Sequence, residues 1–234
     1  EGTTAIQAND LVGRKTARDG GTGAKAIAAQ VEATEAELAK SGSADAQAVA
    51  RRLAAARQAV ELVLKGHEPC PSIALDRCWN VVAANRAAQA LLAAHVSPEL
   101  LAPPVNVFRL SLHPDGLASR IANLTQWRHH LFERLRQQIQ ATADPALLAL
   151  QAELREYPAP EESPPLVMAG EMLGVVMPFC FESVHGMLSL ISTTTIFGTP
   201  VDVTLQELAV ESFFPADAFT AQVLREMAQQ YAAD

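Results

Sequence analysis

The stretch that decides the fold is residues 67–92, HEPCPSIALDRCWNVVAANRAAQALL. Ser72–Leu75 is a short apolar run, and the Asp76-Arg77 pair that follows it has the composition of a tight turn. A second run of residues that favour β-structure extends from Trp79 to Ala84. The stretch therefore predicts two short strands joined by a turn.

A helix is predicted directly after this strand pair. Asn85 stands where an N-cap belongs, ahead of the alanine-rich segment Arg86–Ala94. The order strand, turn, strand and asparagine-capped helix resembles the opening of a PAS-like sensor domain. The Asn85 side chain could also hold a ligand, so the sequence leaves two roles open, of which capping is the simpler.

The first 66 residues are rich in alanine and charged residues, and their apolar positions recur at helical spacing. One amphipathic helix is predicted around Ala26–Leu38 and a second across Val49–Leu64, with a Ser-Gly-Ser break between them. Asp45 is the expected N-cap of the second helix, and Gly66 is its expected end. This part of the chain is therefore expected to be a helical extension.

The middle of the chain, residues 95–157, is expected to be helical, with joints at its prolines. One face of its longest helix carries an apolar series at helical spacing: Trp127, Leu131, Leu135 and Ile139. Asp144-Pro145 starts a further helix, because aspartate caps and proline is accepted at the first helical position. Residues 158–165, PAPEESPP, have the composition of a linker.

The last third of the chain is predicted to be mainly β-structure. Three strands are expected, at Leu173–Glu182, Met187–Phe197 and Glu207–Phe214, with a turn at Val184–Gly186 between the first two. Phe219–Tyr231 is expected to be a C-terminal helix. The whole pattern predicts an α+β fold with a five-stranded antiparallel, PAS-like sheet and flanking helices.

Composition places the chain among globular proteins, since 49% of its 234 residues are hydrophobic and 19% are charged. The net charge of −8 argues against direct binding to nucleic acid, which usually requires a basic surface. Three cysteines without a CxxC pair, and no apolar run long enough to cross a membrane, favour a cytoplasmic protein with free thiols.

Three ordered blocks resemble the ligand-binding domain of MmyB-like transcription regulators. They are GHEPCPSIALDRCWNVVAANRAA from Gly66, LLAPPVNVFRLSLHPDGLASRIANLTQWRHHLFERLRQQ from Leu100, and STTTIFGTPVDVTLQELAVESFFPAD from Ser192. The resemblance extends over roughly Ala55–Gln229, so the predicted domains are residues 1–54 and 55–234. It implies a PAS fold with an internal apolar cavity.

The resemblance also implies a function. Domains of this family are expected to bind a fatty-acid-like or other lipophilic effector and to work beside a helix-turn-helix module of the Xre type, which reads DNA. No recognition-helix pattern precedes residue 67, so that module is expected to be missing here. The protein is expected to contact DNA only through such a helix-turn-helix module. Homodimerisation through an amphipathic helix at Ala48–Leu64 is a further expectation, and binding to membranes is not expected.

The N-terminal segment resembles an unrelated family. EGTTAIQANDLVGRKTARDGG, from Glu1, is similar to the C-terminal helical domain of acyl-CoA dehydrogenases, and the EGTT phrase implies the position of their catalytic glutamate at Glu1. Those enzymes need a flavin and a site built by other domains. We therefore expect a helical appendage, no enzymatic activity and no cofactor, with a flavin-dependent dehydrogenase fragment as the alternative function.

Candidate ligand contacts are large apolar residues within the region of the resemblance: Trp79, Phe108, Trp127, Phe179, Phe181, Leu190 and Phe197. Cationic or donor groups for a carboxylate-bearing effector are Arg109, His113, Arg120 and Arg128. Each of these residues could equally be core or surface, so a PAS-like interaction module without a ligand remains a third alternative. No metal site is expected, because adjacent His129 and His130 point about 100° apart on a helix.

Overall fold

One antiparallel sheet of five strands organises the protein in the computed structural model, which describes residues 33–159, 177–196 and 208–233. The strands are β1 (Ser72–Leu75), β2 (Val81–Ala84), β3 (Pro178–Ser183), β4 (Gly186–Ile196) and β5 (Ala209–Pro215). Their spatial order is β2-β1-β5-β4-β3, so the last strand lies at the centre of the sheet. This confirms the predicted α+β class with a PAS-like sheet.

Helices precede, interrupt and follow the strands. They are α1 (Ala44–Gly66), α2 (Arg86–His95), α3 (Val107–Leu112), a 3₁₀ turn (Ala118–Arg120), α4 (Leu124–Thr142), α5 (Pro145–Glu156) and α6 (Ala218–Ala233). Residues 33–40 are also helical. The predicted domain boundary between residues 54 and 55 falls inside α1, which runs across it without interruption.

The two faces of the sheet have different neighbours, because side chains alternate along each strand. On one face, Val210 of β5 packs with Ala74 of β1 and with Val60 and Leu64 of α1. On the other face lies the larger core, to which α4 and α5 contribute Trp127, Leu131, Leu135, Leu147, Leu150 and Leu154. The predicted apolar face of α4 is therefore the face that is buried.

Asn85 joins the first strand, the following helix and the end of α1. Its Oδ1 accepts hydrogen bonds from the backbone N–H of Ala88, as an N-cap does, and from the N–H of Ser72, both at 3.0 Å. Its Nδ2 donates to the carbonyl oxygens of Cys70 at 2.8 Å and Leu64 at 3.3 Å. The predicted cap is confirmed, and all of these bonds are within the protein.

Two local details differ from the prediction. Trp79 is not part of β2: its φ of +67° places it in the turn, and the strand begins at Val81. The N-cap of α1 is Ser43 rather than Asp45, because the Ser43 side chain accepts from the N–H of Ala46 while Asp45 lies in the first turn. There its carboxylate still interacts favourably with the positive end of the helix. Several predicted features lie outside the described residues: Glu1, the start of the first helix at 26–32, most of the linker at 158–165, and the strand positions Leu173–Val176, Phe197 and Glu207.

Candidate ligand cavity

A cavity of about 70 Å³ lies between the sheet and the helices that cover its larger core. It is lined by Pro71, Ile73, Ala88, Leu91, Leu92, Val107, Phe108, Leu110, Ser111, Leu117, Trp127, Leu131, Phe179, Leu190, Glu211 and Phe213. Strand residues form its floor, and residues of α2, α3 and α4 form its walls. The lining is apolar apart from Ser111 and Glu211, so the cavity suits a small lipophilic molecule.

Aromatic rings make up much of one wall. The ring centroids of Trp127 and Phe179 are 4.9 Å apart, and those of Phe179 and Phe213 are 5.8 Å apart, both with tilted planes. Phe108 closes another side and is almost completely buried. Such rings present large, rigid apolar surfaces to whatever occupies the cavity.

Glu211 is a carboxylate in this apolar lining, with an exposed fraction of only 4%. Its Oε1 accepts a hydrogen bond of 2.8 Å from Nη1 of Arg134 on α4. The other terminal nitrogen of Arg134, Nη2, donates to Oγ1 of Thr194 at 3.0 Å, and the guanidinium lies 4.6 Å from the ring centroid of Trp79. The charge of Glu211 is thus compensated from outside the cavity, since Arg134 does not line it.

The indole N–H of Trp127 has no hydrogen-bond acceptor among the described residues, although the residue is 98% buried. A buried donor without a partner costs about 1–3 kcal/mol. The ring of Trp127 lines the cavity, but its indole nitrogen has no accessible surface, so this donor lies in the packed core and does not face the open space.

Four of the apolar candidates line the cavity: Phe108, Trp127, Phe179 and Leu190. Two lie behind it. Trp79 packs on Phe108, with ring centroids 4.7 Å apart, and Phe181 stacks on Phe179 at 5.9 Å. Phe197 lies outside the described residues. That any of these residues contacts a ligand remains a prediction.

The cationic candidate Arg109 forms an ion pair within the protein and does not line the cavity. Its Nε and Nη2 each donate to the carboxylate of Glu153 at 2.7 Å, bridging α3 to α5, and the hydroxyl of Tyr157 donates to the same carboxylate at 2.6 Å. The Arg109 bond lowers the pKa of Glu153, while burial and the Glu153 carboxylate raise the pKa of Tyr157 to about 12. His113 contacts the edge of Tyr157, with centroids 5.0 Å apart. This is a helix-to-helix network beside the cavity.

The other two cationic candidates are also engaged with the protein. Arg120 donates to the carbonyl oxygen of Glu182 at 3.4 Å. Arg128 donates to the carbonyl oxygen of Leu154 at 2.9 Å, and burial lowers its pKa. Among the described residues, none of the four predicted donors lines the cavity. The structure therefore does not bring them together with the apolar candidates.

Sequence reasoning missed several lining residues, of which Glu211 and Phe213 are the most informative. They are two residues apart in a strand, so alternation predicts that they share a face. A glutamate inside the apolar run LAVESFF was the available signal, because such a charge is buried only when it is paired. Its partner Arg134 is distant in the sequence and could not be identified from the pattern.

The described residues give little support to a reactive cysteine, a metal site or a membrane-spanning helix. Burial raises the pKa values of the Cys70, Cys78 and Cys180 thiols, which keeps them protonated and poorly nucleophilic. Within 33–159, 177–196 and 208–233, no group of three potential ligands could hold a metal ion. In the same ranges no helix is long and apolar enough to cross a membrane.

Comparison with known proteins gives two results. The family model described as MmyB-like transcription regulator ligand binding domain matches residues 56–227, which is most of the chain. A curated relative, 3-methylmercaptopropionyl-CoA dehydrogenase of Ruegeria pomeroyi, is 63% identical over 59 residues. That match involves 25% of this chain, and the chain spans about a tenth of the relative's length. The dehydrogenase likeness is therefore local, whereas the family match extends from the second half of α1, through all five strands, into α6.

Proposed function

This chain belongs to the family of MmyB-like transcription regulator ligand-binding domains, and from that premise we propose that it senses a lipophilic small-molecule effector in the cavity described above. The observation that carries the proposal is the apolar cavity with its aromatic wall. Each methylene group that a ligand buries there is worth about 0.8 kcal/mol. A fatty-acid-like alkyl chain is the simplest molecule to supply such groups.

The cavity volume sets a limit on the ligand. An engineered cavity of about 150 Å³ binds benzene, and the cavity here, at about 70 Å³, is roughly half that size. A short chain fits without rearrangement. A medium or long alkyl chain requires the lining to move or extends beyond it, so its binding is coupled to a conformational change.

That coupling is the mechanism we propose for signalling. Trp127 and Leu131 line the cavity from α4, and Phe108 lines it from α3, which the Arg109–Glu153 ion pair ties to α5. A ligand that favours one arrangement of these helices shifts the population toward it. A separate helix-turn-helix module of the Xre type would convert the shift into altered binding to DNA in the cytoplasm.

We also propose a homodimer through α1. This helix covers the smaller core with its buried face, yet Leu62, on the opposite face, is 64% exposed. Pairing of two α1 helices would cover this side chain. Sedimentation of the purified protein tests this part independently of ligand binding.

The proposed function is tested by native mass spectrometry of the purified protein together with organic extraction of what accompanies it. We expect a stoichiometric lipophile, or a rise in melting temperature with at least one member of a panel of apolar compounds. A protein that carries nothing and responds to no member of the panel would instead be an interaction module with a filled core.

A second candidate function rests on the 63% local match to the acyl-CoA dehydrogenase. A fragment of such an enzyme would need flavin for its chemistry. Absorbance near 450 nm that remains after gel filtration would support this candidate. We expect none, because the match spans about a tenth of the enzyme.

A further inference from the structure

Glu211 is one of the strand residues that form the cavity floor. It lies on β5, the central strand, directly opposite Ile73 of β1 and Thr194 of β4 in the sheet register. Its carboxylate is the one charged group among the lining residues that the structure describes. A ligand that reaches the floor therefore meets a negative charge.

The compensating cation cannot serve the ligand directly. Arg134 uses Nη1 for Glu211 and Nη2 for Thr194, and its guanidinium lies over the ring of Trp79, outside the lining. To reach a ligand carboxylate in the cavity, the guanidinium would have to move away from Glu211, and a buried carboxylate without its partner is strongly unfavourable. The described lining therefore contains no cationic side chain that could pair with an anionic ligand.

The same lining offers one hydrogen-bonding partner to an uncharged group. Glu211 can accept a hydrogen bond from a ligand donor. A hydroxyl group can donate such a bond. It therefore matches Glu211 without bringing a second negative charge into an apolar site.

We propose that the cavity selects an uncharged, hydroxyl-bearing apolar molecule over a carboxylate of the same chain length, with Glu211 as the residue that determines this preference. The inference rests on the proposed function and specifies its ligand class. It also explains why the four predicted cationic candidates are bound within the protein: this ligand needs no positive charge.

The test compares primary alcohols with fatty carboxylates of four, six and eight carbons at pH 7, by calorimetry on the full chain. We expect the alcohol of each pair to bind at least tenfold more tightly. Equal affinities, or tighter binding of the carboxylates, would overturn the inference while leaving the proposed function intact. If none of these probes binds, the proposed function fails and this inference fails with it.

Variants test whether Glu211 causes the preference for alcohols over carboxylates. Glu211→Gln keeps the side-chain shape and an oxygen that can accept from Arg134, so we expect it to fold, checked by circular dichroism, and to reduce the preference for alcohols to less than about threefold. Glu182→Gln, on the exposed side of β3, is the matched control and should leave the preference unchanged. An undiminished preference in Glu211→Gln would refute the role of that residue.

Discussion

The paired variants Leu131→Ala and Leu135→Ala test whether the cavity is where ligands bind. Both side chains lie on the buried face of α4 one turn apart, with exposed fractions of 4% and 0%. Only Leu131 lines the cavity. Truncating Leu131 therefore enlarges an existing space, whereas truncating Leu135 creates a separate void in the core.

The two variants should be destabilised by similar amounts. Each change removes three carbon atoms, worth about 2.4 kcal/mol at about 0.8 kcal/mol each. The space left behind raises the expected loss to about 3–4 kcal/mol of unfolding free energy. Domains of this kind are commonly stable by about 5–15 kcal/mol, so both variants should remain folded. Urea denaturation measures the loss.

Ligand binding should distinguish Leu131→Ala from Leu135→Ala. In Leu131→Ala the best-bound primary alcohol should be about three carbons longer than in the wild-type protein, because its chain fills the space of the lost side chain. At 100 times its dissociation constant that alcohol adds about 2.7 kcal/mol, which restores most of the lost stability. The assay is a melting-temperature series from butanol to decanol. An unchanged optimum in Leu131→Ala, or the same shift in Leu135→Ala, would refute the assignment of the cavity as the binding site.

Three further predictions concern stability. Asn85→Ala removes a helix cap and leaves buried backbone groups unpaired, so it should lower the unfolding free energy in urea by about 2–4 kcal/mol. Gly186→Ala should cost about 1–3 kcal/mol in the same assay, because φ is +114° and the new Cβ would lie 3.3 Å from the Phe219 ring. The pKa of Glu153 is lowered in the folded protein by Arg109, so its contribution is present above the unfolded value of about 4.3 and is lost as the pH falls through the folded value. The stability advantage of the wild-type protein over Glu153→Gln, about 1 kcal/mol or less for so exposed a pair, should therefore be seen at pH 6 and disappear in acid.

Each of these three has a result that contradicts it. Full stability in Asn85→Ala would mean that water replaces the cap. A neutral Gly186→Ala would show that the β3–β4 turn relaxes without strain, and Gly66→Ala, at a site with nothing near its added Cβ, is the matched control. A difference between wild type and Glu153→Gln that does not change between pH 6 and acid would exclude the ion pair as its source.

The sequence by itself determined the elements whose signals are local. The apolar run Ser72–Leu75, the cap at Asn85 and the helical spacing from Trp127 to Ile139 each depend on residues within a few positions of one another, and each matches the structure. The predicted ends of helices and strands were less accurate where the conformation of a single residue sets the boundary. Trp79 has the β-propensity of a strand, but the turn requires a positive φ there.

Only the tertiary structure decided which of these residues form the site. Placing β5 between β1 and β4 sets Glu211 into the cavity floor, and the pairing of β5 with β1 joins segments more than a hundred residues apart. The partners of the charged groups are equally remote: Arg109 finds Glu153 44 residues away, and Arg134 finds Glu211 77 residues away. A local pattern carries information about local geometry, whereas the choice among many possible ion-pair partners is made by packing. For that reason the apolar candidates were partly identified from the sequence, while the polar character of the cavity was not.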